Sequence, residues 1–160
     1  MKTPYNEIVN IASIGSQTNP ISLNEILRKA NDEQLTPAAQ NKERVLFLGI
    51  DVQQDFMDNG ALGVPGAHGD VERMTQFIYN NMDKITNIAV SIDTHTPHQI
   101  FHPCWWIDEN GNNPAPYTPI TLADLDSGKY RAVIYPRQSR DYVEHLEKDG
   151  KKTLCVWSYH

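Results

Sequence analysis

The stretch VLFLGIDVQQDFMDNGALGVPGA, residues 45–67, passes from an unbroken apolar run into acids, amides and glycines. From Val45 to Ile50 every position is apolar or glycine, the pattern of a strand buried on both faces, so a central strand of a parallel sheet is expected there. Asp51, Gln53, Gln54 and Asp55 then fall at its carboxyl end, and Gly60, Gly63, Pro65 and Gly66 mark a turn-rich loop. In open α/β sheets that end of the strands is where ligands bind. An acid after a strand also caps helices and fixes turns, so the weight of Asp51 depends on what stands at the neighbouring tips.

Working outward from this strand, the chain alternates helix and strand patterns. Before it, Ser22 and Glu25 have capping-box spacing and Leu23, Ile26, Leu27 and Ala30 recur at helical intervals, which predicts a helix over 22–30 and a polar connection over 31–43. After it, Asp70 is positioned to cap a helix with Val71, Met74, Phe77, Ile78 and Met82 on its apolar stripe. Ile88 to Ile92 reads as the next strand. About forty residues rich in Pro, Trp and Asn follow as a loop, and long loops in small domains are usually functional. Arg131 to Tyr135 reads as a third strand, Ser139 opens a helix stopped by Gly150, and Thr153 to Trp157 forms a last strand. The alternation points to an α/β fold with a mainly parallel sheet.

Composition narrows the function classes. A chain of 160 residues, 39% hydrophobic and 21% charged, has the makings of one ordinary domain. A net charge of -6 leaves no basic stripe for phosphates, which argues against a nucleic-acid binder. No apolar run is long enough to span a membrane, and MKTPYNEIVNIASIG lacks the plan of a signal peptide. Two cysteines, Cys104 and Cys155, make no disulfide framework, so a reducing, cytoplasmic setting is expected.

The second strand tip carries the most chemistry. In SIDTHTPHQIFHP, Asp93 and His95 are two apart and so share a face of an extended segment, with His98 and His102 close behind. One carboxylate with two or three imidazoles is the ligand set of a divalent transition metal, Zn, Fe or Mn. Three of the six histidines within eight positions weigh against a loop whose imidazoles only bond to backbone. Which histidine completes the site is open. Asp51 and Asp93, though 42 positions apart, are expected side by side at the ends of adjacent parallel strands.

With Asp51-Val-Gln-Gln-Asp55-Phe56, the following Gly60-to-Ala67 loop, and Asp93-Thr94-His95 trailed by Trp105 and Trp106, the chain from Arg44 to His160 resembles the nicotinamidase branch of the isochorismatase-like cysteine hydrolases. The resemblance implies a three-layer α/β/α fold, with residues 1–43 as a helical extension and 44–160 as the N-terminal portion of the hydrolase domain. It implies an Asp, Lys, Cys triad cleaving a small amide such as nicotinamide through a thioester. Asp51 matches the acid that takes and returns the thiol proton. Lys129, in DSGKYRAV, lies where the family places the lysine that holds the thiolate by charge; a solvated lysine in a Gly turn is the plainer alternative. Asp93, His95, His98 and His102 fall in the family's metal loop, whose metal orients the substrate ring. The nucleophilic Cys is implied just beyond Tyr159-His160, in a continuation or a companion fragment. Cys155 reads as packed within a strand, and Cys104 as a pocket wall or a reactive thiol.

Two other readings use the same residues: a metal-binding scaffold without a nucleophile, and a hydrolase of another small amide or carbamoyl compound. Trp105, Trp106, Asn112, Pro114 and Tyr117 suit a loop that closes over a planar ring or that packs on itself. A homo-oligomer is expected from the family's habit and from the sheet edges, and neither nucleic acid nor membrane is expected as a partner.

Overall fold

Ser22 opens the first helix as its spacing predicts: in extended conformation, it accepts the Glu25 amide at 3.2 Å on its hydroxyl. The computed structural model describes residues 1–160 and divides them into two compact units, Met1–Asp93 and Thr94–His160. The division falls at residues 93 and 94, within the stretch expected to form the hydrolase portion.

In the first unit, helix α1 (Leu23–Glu33) runs a turn past the expected end and stops at Gln34, which takes the left-handed conformation. Its last residue, Glu33, is buried and accepts the amides of Lys2 at 2.7 Å and Thr3 at 2.5 Å. Hydrogen bonds from the Thr3 side chain and from these two amides hold its pKa down at about 2. The Tyr79 hydroxyl donates to the Thr3 carbonyl at 2.8 Å, so the N-terminal segment is tied to helix α2 (Ala67–Asn80) as well.

Strands β1 (Leu46–Gly49) and β2 (Asn87–Val90) pair in parallel, Leu46 opposite Asn87 and Gly49 opposite Val90. The Phe47 ring meets Phe77 of α2 at 5.9 Å. Alternation sends Leu46, Leu48 and Ile50 to the other face, where they are 59%, 53% and 67% exposed. The expectation of a central strand buried on both faces is therefore corrected: β1 pairs with β2 alone, and α2 covers one side. An apolar run records what a strand can bury, and the partner has to come from elsewhere in the fold.

Helix α2 also begins earlier than expected. Asp70 is not its cap but sits in its first turn, paired with Arg73; the cap position is Gly66, at φ 88°. Asp58 explains the shift, because its carboxylate accepts the amides of Gly66 at 2.6 Å and His68 at 2.9 Å, donors that a helix start otherwise leaves unpaired. The His68 amide, then that of Gly66, draws the Asp58 pKa below the usual carboxylate value.

The second unit fills the expected forty-residue loop with structure. It contains β3 (Trp106–Asp108), β4 (Pro119–Ile120) and helix α3 (Leu122–Asp126), which Thr121 and Asp124 start with a reciprocal capping box. The third strand, β5 (Tyr130–Ala132), is antiparallel to β3 and not part of a parallel sheet. Helix α4 (Pro136–Lys148) starts three residues before Ser139, which is buried and accepts the Trp105 indole N–H at 2.9 Å. The last strand contracts to β6 (Leu154–Cys155), antiparallel to β4. Trp106, Ile120, Ala132, Val143, Leu154 and Val156 form the core.

The chain is thus mixed helix and strand, with sheets of two strands each. No helix is long and apolar enough to cross a membrane.

Candidate functional site

The expected meeting of strand tips occurs in the first unit. Parallel pairing of Gly49 with Val90 brings Asp51 and Ser91 together: the Asp51 amide donates to the Ser91 hydroxyl at 3.1 Å, and that hydroxyl donates back to the Asp51 carboxylate at 3.2 Å. The Asp93 amide donates to the Gln53 side-chain carbonyl at 2.6 Å. Ser91 and Gln53 therefore stitch the two tips to each other. Asp51 is half-buried, lines a cavity of about 280 Å³ with Phe56, Val64 and Met74, and holds a φ of 57°. That left-handed conformation is disfavoured for most side chains and easiest for Gly, Asn and Asp. In the loop that follows, Gly60 approaches the Asp55 carbonyl so closely that a Cβ would lie 2.1 Å from its oxygen. The glycine in the turn-rich loop is required by that approach.

The imidazoles gather in the second unit. His95 and His160 lie with ring centroids 4.6 Å apart, and a ligand nitrogen of each is within 4.8 Å of the other. The His102 ring is 6.2 Å from His95 and 5.7 Å from His160. His102 is 1% exposed; its Nδ1 lies 3.1 Å from the carbonyl oxygens of both Thr96 and Pro97, while its buried Nε2 has no hydrogen-bond partner. Carbonyls only accept, so Nδ1 carries the hydrogen and Nε2 presents a lone pair. A metal-ligating histidine commonly donates its other ring N–H to a carbonyl in this way, so the orphaned nitrogen has the chemistry that a divalent transition metal needs. His98 is exposed and faces the Cys104 thiol, with Nδ1 3.9 Å from Sγ. Asp93, two positions before His95, is the carboxylate of the expected set.

Lys129 is exposed and ion-paired with Asp124 at 2.8 Å, and this hydrogen bond raises its pKa above the usual lysine value. Cys104 donates its thiol to the Pro97 carbonyl at 3.0 Å, and Cys155 is half-buried in β6. The Tyr159 hydroxyl accepts the Cys104 amide at 3.0 Å, and its pKa is raised by the neighbouring Cys104 side chain and then by burial.

No spacing assigns a ligand role to His160, which stands 65 positions from His95 and reaches it only through the fold. Ser91 carries no site signal in the sequence by itself, although a serine two residues before Asp93 is placed to meet the opposite tip. Comparison with protein-family models, with curated proteins and with solved structures finds no match.

Proposed function

We propose that the chain carries the acid and the metal loop of a metal-assisted cysteine hydrolase that cleaves the amide of nicotinamide or a related small amide. The fold would be that of a three-layer α/β/α isochorismatase-like domain, and the setting a cytoplasmic homo-oligomer. The observation that supports it most is the stitched pair of strand tips, with Asp51 beside Ser91 and Asp93 beside Gln53. A carboxylate held by a neighbouring hydroxyl at a cavity wall suits a group that takes a thiol proton and returns it to departing ammonia.

In this reading the nucleophile is the cysteine thiol that the resemblance implies. His95 and His160, whose ligand nitrogens lie within 4.8 Å of each other, are the imidazoles for the metal, with His102 beside them and His98 turned toward Cys104. Bound there, Zn, Fe or Mn would orient the substrate's ring nitrogen. The His102 tautomer presents the lone pair such an ion needs. Lys129 takes its charge role only by leaving Asp124.

Ammonia release from nicotinamide by the full-length protein is the test. Asp51→Asn is expected to lower kcat/KM by about 10²–10⁴, the usual worth of a general base. Turnover unchanged by Asp51→Asn overturns the reading. Metal binding without turnover of any small amide indicates a scaffold instead, and turnover of another amide or carbamoyl compound changes only the substrate.

A further inference from the structure

We propose that Asp58 and His68 form a pH-sensitive latch for residues 11–16: Gly15 seats on Nε2 of the neutral His68 ring, and the imidazolium lifts it off. His68 Nδ1 lies 3.1 Å from the Asp58 carboxylate. A carboxylate only accepts, so Nδ1 carries the hydrogen and Nε2 the lone pair. That Nε2 is buried and has no hydrogen-bond partner. Gly15, at φ 78°, stands against it: a Cβ there would lie 2.1 Å from Nε2 and 2.5 Å from Cε1, so the ring edge occupies the place of a side chain.

A second proton, on Nε2, sets a charged N–H against a glycine C–H, which accepts nothing. A buried charged donor without an acceptor is costly. Lifting the segment lets water accept that N–H, while Asp58 stays beside Nδ1 and favours the imidazolium. The segment is placed to move locally. Its Ser13, Ile14 and Ser16 amides bond to the carbonyls of Asn10, Ile11 and Ser13, within its own turns. Both flanks are fastened elsewhere, because Lys29 pairs with Glu7 at 2.9 Å and Ser22 caps α1. Asp58 is the charge that faces the ring. Residues 8–24 bring no titratable side chain, and on α2 Asp70 pairs with Arg73 while Glu72 is exposed.

The test is a ¹H NMR titration of the full chain from about pH 8 to about pH 5, the range in which histidine changes charge. The His68 Hε1 shift reads the charge, and the nuclear Overhauser effect from the His68 ring to the Gly15 α-protons reads the seat. A proton taken up only by the lifted form raises the lifted-to-seated ratio by about tenfold per pH unit. The ring-to-Gly15 contact is expected to fade as Hε1 moves to its charged position, with far-UV circular dichroism unchanged. His68→Gln, neutral throughout, is expected to leave the amide shifts of residues 11–16 independent of pH. A contact that survives protonation, a His68 still neutral at the acid end, or the same pH response in His68→Gln overturns the proposal. Loss of the contact together with the circular dichroism signal is general unfolding and overturns it too. Where His68→Gln fails to fold, the wild-type titration decides alone, since charge and contact are read in the same spectra.

Discussion

Trp106→Phe tests how the core holds the histidine loop. Trp106 is fully buried, and its indole N–H donates to the Ile100 carbonyl at 2.6 Å, inside the loop that bears His102. Phenylalanine removes the donor and leaves that carbonyl unpaired, a cost of about 1–2 kcal/mol. It also vacates about 40 Å³, which at ~24 cal/mol per Å³ adds about 1 kcal/mol. The expected loss is about 2–3 kcal/mol, read from urea unfolding followed by far-UV circular dichroism with an unchanged m-value. The His102 amide, bonded to the Gln99 carbonyl at 2.8 Å, should exchange faster with solvent in the variant. A loss below about 0.5 kcal/mol, with His102 exchange unaltered, would refute the claim that this one hydrogen bond fastens the loop to the core.

Glu33 contributes stability through a pKa held down at about 2, so that contribution is complete above its unfolded value near 4.5 and fades as the pH falls toward 2. Glu33→Gln should flatten this part of the urea midpoint against pH profile. Gly15, at φ 78°, leaves no room for a side chain, since a Cβ would stand 2.1 Å from His68 Nε2; Gly15→Ala should cost about 1–3 kcal/mol in the same assay. Lys129→Ala should change stability by less than about 1 kcal/mol, because the pair with Asp124 is exposed on the lysine side. If Lys129 does serve the thiolate, the same variant should lower amide turnover by well over tenfold, and equal turnover would remove it from the site.

The sequence was most legible where local chemistry decides the structure. Ser22 caps α1 because a hydroxyl three residues before an amide is enough, and β1 and β2 form where β-branched and apolar residues run together. It was least legible where a distant group takes over. Asp58, eight residues before Gly66, starts α2 ahead of the expected cap. The strands after residue 100 are two or three residues long, too short for periodicity to separate from loop, and they pair through contacts formed only in the folded chain. Within the site, Asp93 and His95 are visible as a spacing, and so are His98 and His102. What separates those last two is the direction each ring nitrogen faces, which no spacing encodes.

The backbone at Asp51 bears on how its role should be probed. With φ at 57°, alanine at this position would carry a conformational penalty of about 1–2 kcal/mol as well as the loss of the carboxylate, and its kinetics would mix the two. Asparagine tolerates the same twist and keeps a side-chain oxygen for Ser91, so it isolates the missing charge. Glycine relaxes the twist and deletes the group, so the pair of variants separates geometry from proton transfer where alanine confounds them.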